Sequence, residues 1–372
     1  MKLGHRALVL VALPCTFFAV ALASGCEGDD TPAKFFVDGS AESSADAPDD
    51  GDATVVDAPA DAESPHAKII VVHASPDLAS LRFCFGTGLQ NDGSDSQVVP
   101  IAPLPSTDVA PGGGGVIADL GDLSLRAVTP YAVLATKAGT GTCDALLSGD
   151  AGALVAGADY FQLPTIHNGT LAASTTHLVA VAGCLPGAID SAADTTTCGA
   201  SWTAQSGNVG DAVFALDRVI GNTQRFGAQI AHVASPAAGV WSTQFGATSV
   251  SAALRPLDGG AAEIVTDSVA LGSIAPASAA SLAMPVVDQT SFAVSAANPD
   301  GGASPVETSI PLPLVYEATT GQASGENAYF VAGANYTFVF VGDPRASATL
   351  DGGAFNGYSL HLLAFPNDPA FP

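Results

Sequence analysis

Residues 67–86 read AKIIVVHASPDLASLRFCFG. An apolar, β-branched run at 68–73 is closed by Ser75-Pro76, and 81–85 resumes the apolar alternation. β-Branched side chains pack well on a pleated surface and Ser-Pro favours a turn, so the stretch predicts strand, turn, strand. Working outward, short runs of the same texture recur at 98–101, 131–136 and 177–181, then at 229–233, 240–245, 292–296, 336–341 and 359–364. In YTFVFVG, 336–342, Tyr336, Phe338 and Phe340 share one face and Thr337, Val339 and Val341 the other. Both faces are partly apolar, which predicts a central strand covered on both sides. The chain holds 40 Gly and 25 Pro and lacks helix-favouring runs of Glu, Lys, Leu and Gln, so the fold class is all-β. Short strands between turn residues predict antiparallel β-sandwiches.

The apolar texture is repeated. Ala74-Ser75-Pro76 returns as Ala234-Ser235-Pro236, and Phe85-Gly86 as Phe245-Gly246, both 160 residues on. Tyr131-Ala132-Val133 is echoed by Phe292-Ala293-Val294, and VAGADY ending at Tyr160 by VAGANY ending at Tyr336. FALDRV at Phe214 has a looser echo in LLAFPND around Phe365. Ordered matches of this kind predict a duplication, with one unit at 66–222 and a second at 226–372.

The stretch at 67–86 also resembles the opening of the family known as domain of unknown function 4397. The resemblance rests on Val72, His73, Ala74, Ser75, Pro76 and Asp77, with Ala156, Gly157 and Tyr160 matching a later Ala-Gly-x-x-Tyr strand. The second unit matches less closely: Val233, Ala234, Ser235 and Pro236 fit, whereas Ala237 stands at the Asp position. The resemblance implies two tandem immunoglobulin-like β-sandwich domains on the cell surface or in the periplasm. It brings no activity with it.

Ahead of the folded part, Lys2 and Arg6 precede an apolar run, 7–23, which ends in Ala23-Ser24-Gly25-Cys26. At 17 residues with Pro14 inside, the run is shorter than the roughly 20 residues of a spanning helix. Small residues before a cysteine predict a lipoprotein signal, residues 1–25, with Cys26 lipidated as the mature N-terminus. More than one acyl chain makes a stable anchor. Residues 26–65 follow; between Glu27 and Pro65 they hold 12 acidic residues against one basic, Lys34. Such a segment buries too little apolar surface to offset its ordering entropy and predicts a disordered, extended linker. The formal net charge of −25 excludes nucleic acid as a partner, because a phosphate backbone requires a basic face. The predicted address is therefore the bacterial envelope, outer membrane or surface rather than inner membrane.

Cys84, Cys143, Cys184 and Cys198 all fall in the first unit. In an exported chain four cysteines predict two disulfides, in any of three pairings. Proximity favours Cys184 with Cys198, leaving Cys84 with Cys143. Cys-x-x-Cys and paired-His spacings are absent, so no metal and no cofactor is expected. His73, Ser75 and Asp77 are nominally a Ser-His-Asp set, but they lack a nucleophile elbow or an oxyanion-hole signature. The expectation is a structural His73 and a turn at Ser75-Pro76. In the second unit the matching position is Val233, and His232, one residue earlier, is expected on the opposite strand face. Asn91-Asp92-Gly93-Ser94-Asp95 offers oxygens for calcium without the bidentate Glu of a calcium loop, and reads as a solvated hairpin. Gly112–Gly115 reads as a flexible loop, and Trp202, Trp241, Tyr131 and Tyr160 as core aromatics rather than sugar-stacking platforms. The leading expectation is a lipid-anchored, non-catalytic protein whose sandwiches bind a polysaccharide or an envelope protein. An envelope hydrolase working through His73 and a structural spacer are the rivals.

Overall fold

The computed structural model describes residues 67–117, 120–121, 123–148, 154–173, 175–186, 198, 201–218, 223–234, 249–296, 306–322, 329–342 and 360–368. The expected signal, Cys26, the linker, the run at 240–245 and Trp241 lie outside them. The described chain is all-β. Nine strands make the first half: β1 (Lys68–His73), β2 (Leu81–Gly88), β3 (Gln97–Val98), β4 (Leu104–Val109), β5 (Gly114–Ile117), β6 (Ala127–Leu134), β7 (Tyr160–Gln162), β8 (Thr176–Ala182) and β9 (Gly210–Leu216). Two short helices, α1 (Ala135–Ala138) and α2 (Cys143–Leu147), follow β6. The second half has β10 (Phe226–His232), β11 (Val250–Pro256), β12 (Glu263–Val269), β13 (Ser273–Leu282), β14 (Thr290–Ala296), β15 (Val306–Pro311), α3 (Leu312–Thr320), β16 (Asn335–Val341) and β17 (His361–Pro366).

Each half is a sandwich of two sheets. In the first, β5-β1-β8-β9 faces β3-β2-β6-β7, with β4 also on β2; in the second, β13-β10-β16-β17 faces β12-β11-β14-β15. Strand for strand the order is the same, β3 being the extra member. The sheets are antiparallel apart from one pair in each half, where β1 runs parallel to β8 and β10 to β16. Ile69, Val71, Phe83, Phe85 and Val179 fill the first sandwich, and Ile230, Leu254, Phe292, Phe338 and Phe340 the second.

The register of these pairs corrects two of the sequence matches. The His73 carbonyl accepts from the Gly112 amide and the His232 carbonyl from the Gly272 amide, while Ala74 donates to Val181 and Val233 to Phe340, so both strands advance by 159 residues, not 160. His73 therefore corresponds to His232, the last residue of β10, rather than to Val233. A one-residue step changes the face of a strand. His232 lies on the same core-facing side as His73, its ring 5.5 Å from Phe340, and both histidines are fully buried. The VAGADY and VAGANY matches are not equivalent either: Tyr160 opens β7, on the outer sheet, whereas Tyr336 lies in β16, on the inner one.

The two sandwiches are not beads on a string. Strand alternation gives each inner sheet a second apolar face, and these faces pack together. Ile70, Val72, Leu178 and Phe214 of the first half meet Ala231, Val339, Leu363 and Phe365 of the second in one buried cluster. Four sheets are thus stacked, and β1, β8, β10 and β16 are covered on both sides. Fully burying a Val, Leu, Ile or Phe side chain contributes about 1.5–3 kcal/mol, which makes the junction a third core. The glycine run belongs to it. Gly114 and Gly115 begin β5, and a Cβ on Gly114 would meet Phe365 Cζ at 2.5 Å. Gly112, at a φ of 78°, donates its amide to the His73 carbonyl and accepts from His361 Nε2 at 2.9 Å. The expected flexible loop is a tight turn into the junction.

Candidate functional site

His73, Ser75 and Asp77 come together where β1 leaves the sheet. His73 Nε2 donates to the Ala79 carbonyl at 2.9 Å, and Nδ1 accepts from the Ser75 amide at 3.3 Å, which fixes the tautomer. Ser75 Oγ has one proton for two acceptors, the Gly183 carbonyl at 2.7 Å and Asp77 Oδ1 at 2.9 Å. Asp77 Oδ2 accepts from the Leu185 amide at 2.8 Å. Burial lowers the His73 pKa to about 4 and raises that of Asp77. Both imidazole nitrogens are engaged with main chain, and the Ser75 hydroxyl points to other acceptors. The nucleophile-to-base hydrogen bond of a triad is missing. Chemically the motif is a clasp that ties the end of β1 to the segment after β8.

One disulfide borders the clasp and another lies on the outer sheet. Cys184 joins Cys198, and Cys84 joins Cys143. Asn208 holds the first of these in place: its Oδ1 accepts from the Cys184 amide at 2.9 Å, and its Nδ2 donates to the Cys198 carbonyl at 2.7 Å. Trp202 packs on that disulfide and donates its indole N–H to the Leu185 carbonyl at 2.8 Å, so it is a core aromatic. Tyr131 and Tyr160 meet edge to face, 6.1 Å apart, over the Cys84–Cys143 bridge.

A cleft of about 340 Å³ opens beside the clasp, at the seam of the halves. Pro76, Gly183, Asn208 and Asp211 line it from the first half, and Val233 and Leu271 from the second. Asp211 Oδ2 is buried with no hydrogen-bond partner among the described residues, and burial pushes the carboxyl pKa up to about 6. An acceptor left in that condition favours a ligand that brings a donor. Nothing in the sequence marked Asp211; it became visible only when β9 was placed against β8, opposite Val181.

The remaining candidates have structural explanations. In the 91–95 hairpin, Asp95 accepts from the amides of Leu89 and Gln90, Asp92 from that of Ser94, and Asn91 from that of Asn168. The oxygens offered to calcium are holding the turn. A smaller hollow of about 190 Å³ lies at one end of the second sandwich, between Leu254, Met284 and Val286.

No protein-family model matches the chain, and no curated protein is significantly similar to it. Among solved structures, a provisionally assigned cell adhesion protein from Bacteroides eggerthii DSM 20697 is similar over 82% of this chain and 96% of its own, at 11% identity and a TM-score of 0.23. Another, from Bacteroides uniformis ATCC 8492, is similar over 81% and 98%, at 11% identity and a TM-score of 0.20. Likeness this loose carries no functional inference, and function has to be read from the chain's own residues.

Proposed function

We propose that this is an exported, lipid-anchored envelope protein that presents a fused double sandwich to an external partner, a polysaccharide or a protein, without catalysing a reaction. The observation that carries the reading is the clasp. In the catalytic-looking set His73 and Ser75 are buried, Asp77 is half-buried, and all three are engaged with main-chain groups. Two disulfides support an oxidising compartment. The leader sequence supports lipidation at Cys26 and display at the outer membrane or surface, and the resemblance of 67–86 to the domain of unknown function 4397 family fits the same reading. The seam cleft with Asp211 is the place where such a partner would be held.

The test compares a deletion strain with strains carrying wild type, Ser75→Ala or Asp211→Asn, scored for attachment to envelope polysaccharide and protein fractions. Attachment is expected to be lost on deletion, restored by wild type and Ser75→Ala, and weakened by Asp211→Asn. Turnover of an envelope substrate that disappears in Ser75→Ala would sink the non-catalytic reading.

A further inference from the structure

Among the described residues the chain enters the first sandwich at Ala67 and Lys68, so tension on a chain held by its N-terminus reaches β1 from that end. We propose that β1 is a shear clamp, built so that the double sandwich stays folded when it is pulled through its N-terminal segment. The use of such a clamp rests on the anchoring proposed above; its mechanics do not.

β1 is an interior strand. On one side it pairs with β5, from Ile69 opposite Ile117 to Val72 opposite Gly114. On the other it runs parallel to β8, from Lys68 opposite Thr176 to His73 opposite Val181. Ile69 and Val71 are buried in the first sandwich, and Ile70 and Val72 in the junction. A pull on Lys68 along the strand axis cannot peel β1 away from an edge. It has to slide the strand past two neighbours at once, loading both ladders together and drawing four apolar side chains through two cores.

The far end of β1 is where the clasp sits. Ser75 Oγ bonds to the Gly183 carbonyl and Asp77 to the Leu185 amide, both just beyond the C-terminal end of β8. These bonds and the Cys184–Cys198 bridge tie the resisting strand to the end opposite the pull, which is the arrangement that produces shear in a parallel pair. The buried motif thereby acquires a purpose that catalysis does not give it. β17 differs in one respect: it is an edge strand, paired to β16 alone among the described strands, so one ladder holds it rather than two.

Single-molecule pulling on the unlipidated chain from residue 26 onward tests the proposal. One handle is attached at Cys26 or at the C-terminus, and the other at a thiol introduced by Gln205→Cys, on an exposed turn ahead of β9. Forced unfolding reports the barrier in the direction pulled. Val71→Ala is expected to lower the rupture force through Cys26 and to leave the force through the C-terminus unchanged. A Cys26 rupture force untouched by Val71→Ala, or a loss equal in both directions, would overturn the clamp. The anchoring reading fails separately, if Cys26→Ser leaves membrane attachment intact.

Discussion

His73, fully buried, and Asp211, half-buried, are titratable groups at the same end of the first sandwich, and burial pushes them in opposite directions. His73 titrates near 6.5 when exposed and near 4 in the fold, so between those values the unfolded chain binds more protons. Stability from this group is complete above about pH 6.5 and is lost as pH falls towards 4, by about 3 kcal/mol in all. In urea unfolding, wild type should exceed His73→Gln at pH 7, and the gap should narrow by about 2 kcal/mol at pH 4.5. Asp211 carries the reverse sign. Its carboxyl titrates near 6 in the fold, so its burial opposes folding above that pH and ceases to do so as pH falls. Discounted for solvent screening at this half-buried carboxyl, Asp211→Asn should therefore stabilise the protein at pH 7.5 by about 1 kcal/mol, raising Tm by roughly 2–4 °C, with the gain vanishing towards pH 4. Stabilisation accompanied by weaker attachment is the pattern of a binding residue kept at a cost to the fold.

At the scale of elements, strand positions were legible and strand equivalence was not. Alternation placed β1, β8, β14 and β16 within a few residues of where they lie, because each must put apolar side chains on a defined face. Local identity failed to align the halves, since Ala, Val, Gly and Tyr recur wherever a strand is buried; VAGADY and VAGANY share a composition, not a place. The face each residue turns inward distinguishes a 159-residue step from 160, Val71 and Ile230 lying in the sandwich cores and Val72 and Ala231 in the junction, and that is a tertiary property. The disulfides belong to this scale as well. Cys84–Cys143 spans 59 residues and Cys184–Cys198 spans 14, the pairing that proximity favoured. Closing the longer loop should contribute about 4 kcal/mol and the shorter about 3, on chain-entropy grounds. Paired Cys→Ser variants, Cys84 with Cys143 and Cys184 with Cys198, should rank in that order in thermal unfolding, and the second should also loosen the seam cleft.

At the scale of the whole molecule, the junction turns two sandwiches into one stack. Calorimetry should show a single unfolding transition for residues 67–368, because the inner sheets of both halves lose a buried face if either half opens. Gly114→Val puts branched atoms where Phe365 already sits and should split the transition in two, with the first half melting lower. Phe365→Ala alone should cost about 3–5 kcal/mol. Combined with Gly114→Val it should cost less than the two changes added, since the residues touch. A strictly additive double mutant would mean that the halves meet less tightly than the packing indicates.

The sequence by itself determined the strand texture, the acidic composition of residues 27–65 and the cysteines available for bridging. All of these depend on local pattern or composition. The tertiary structure alone decided that His232, not Val233, answers to His73, that the glycine run is a packing surface, and that Asp211 lines a cleft with a buried carboxylate oxygen. These outcomes depend on which face each strand turns towards a partner more than a hundred residues away, and on two apolar faces finding each other. A sequence records that such faces exist; packing decides what they cover.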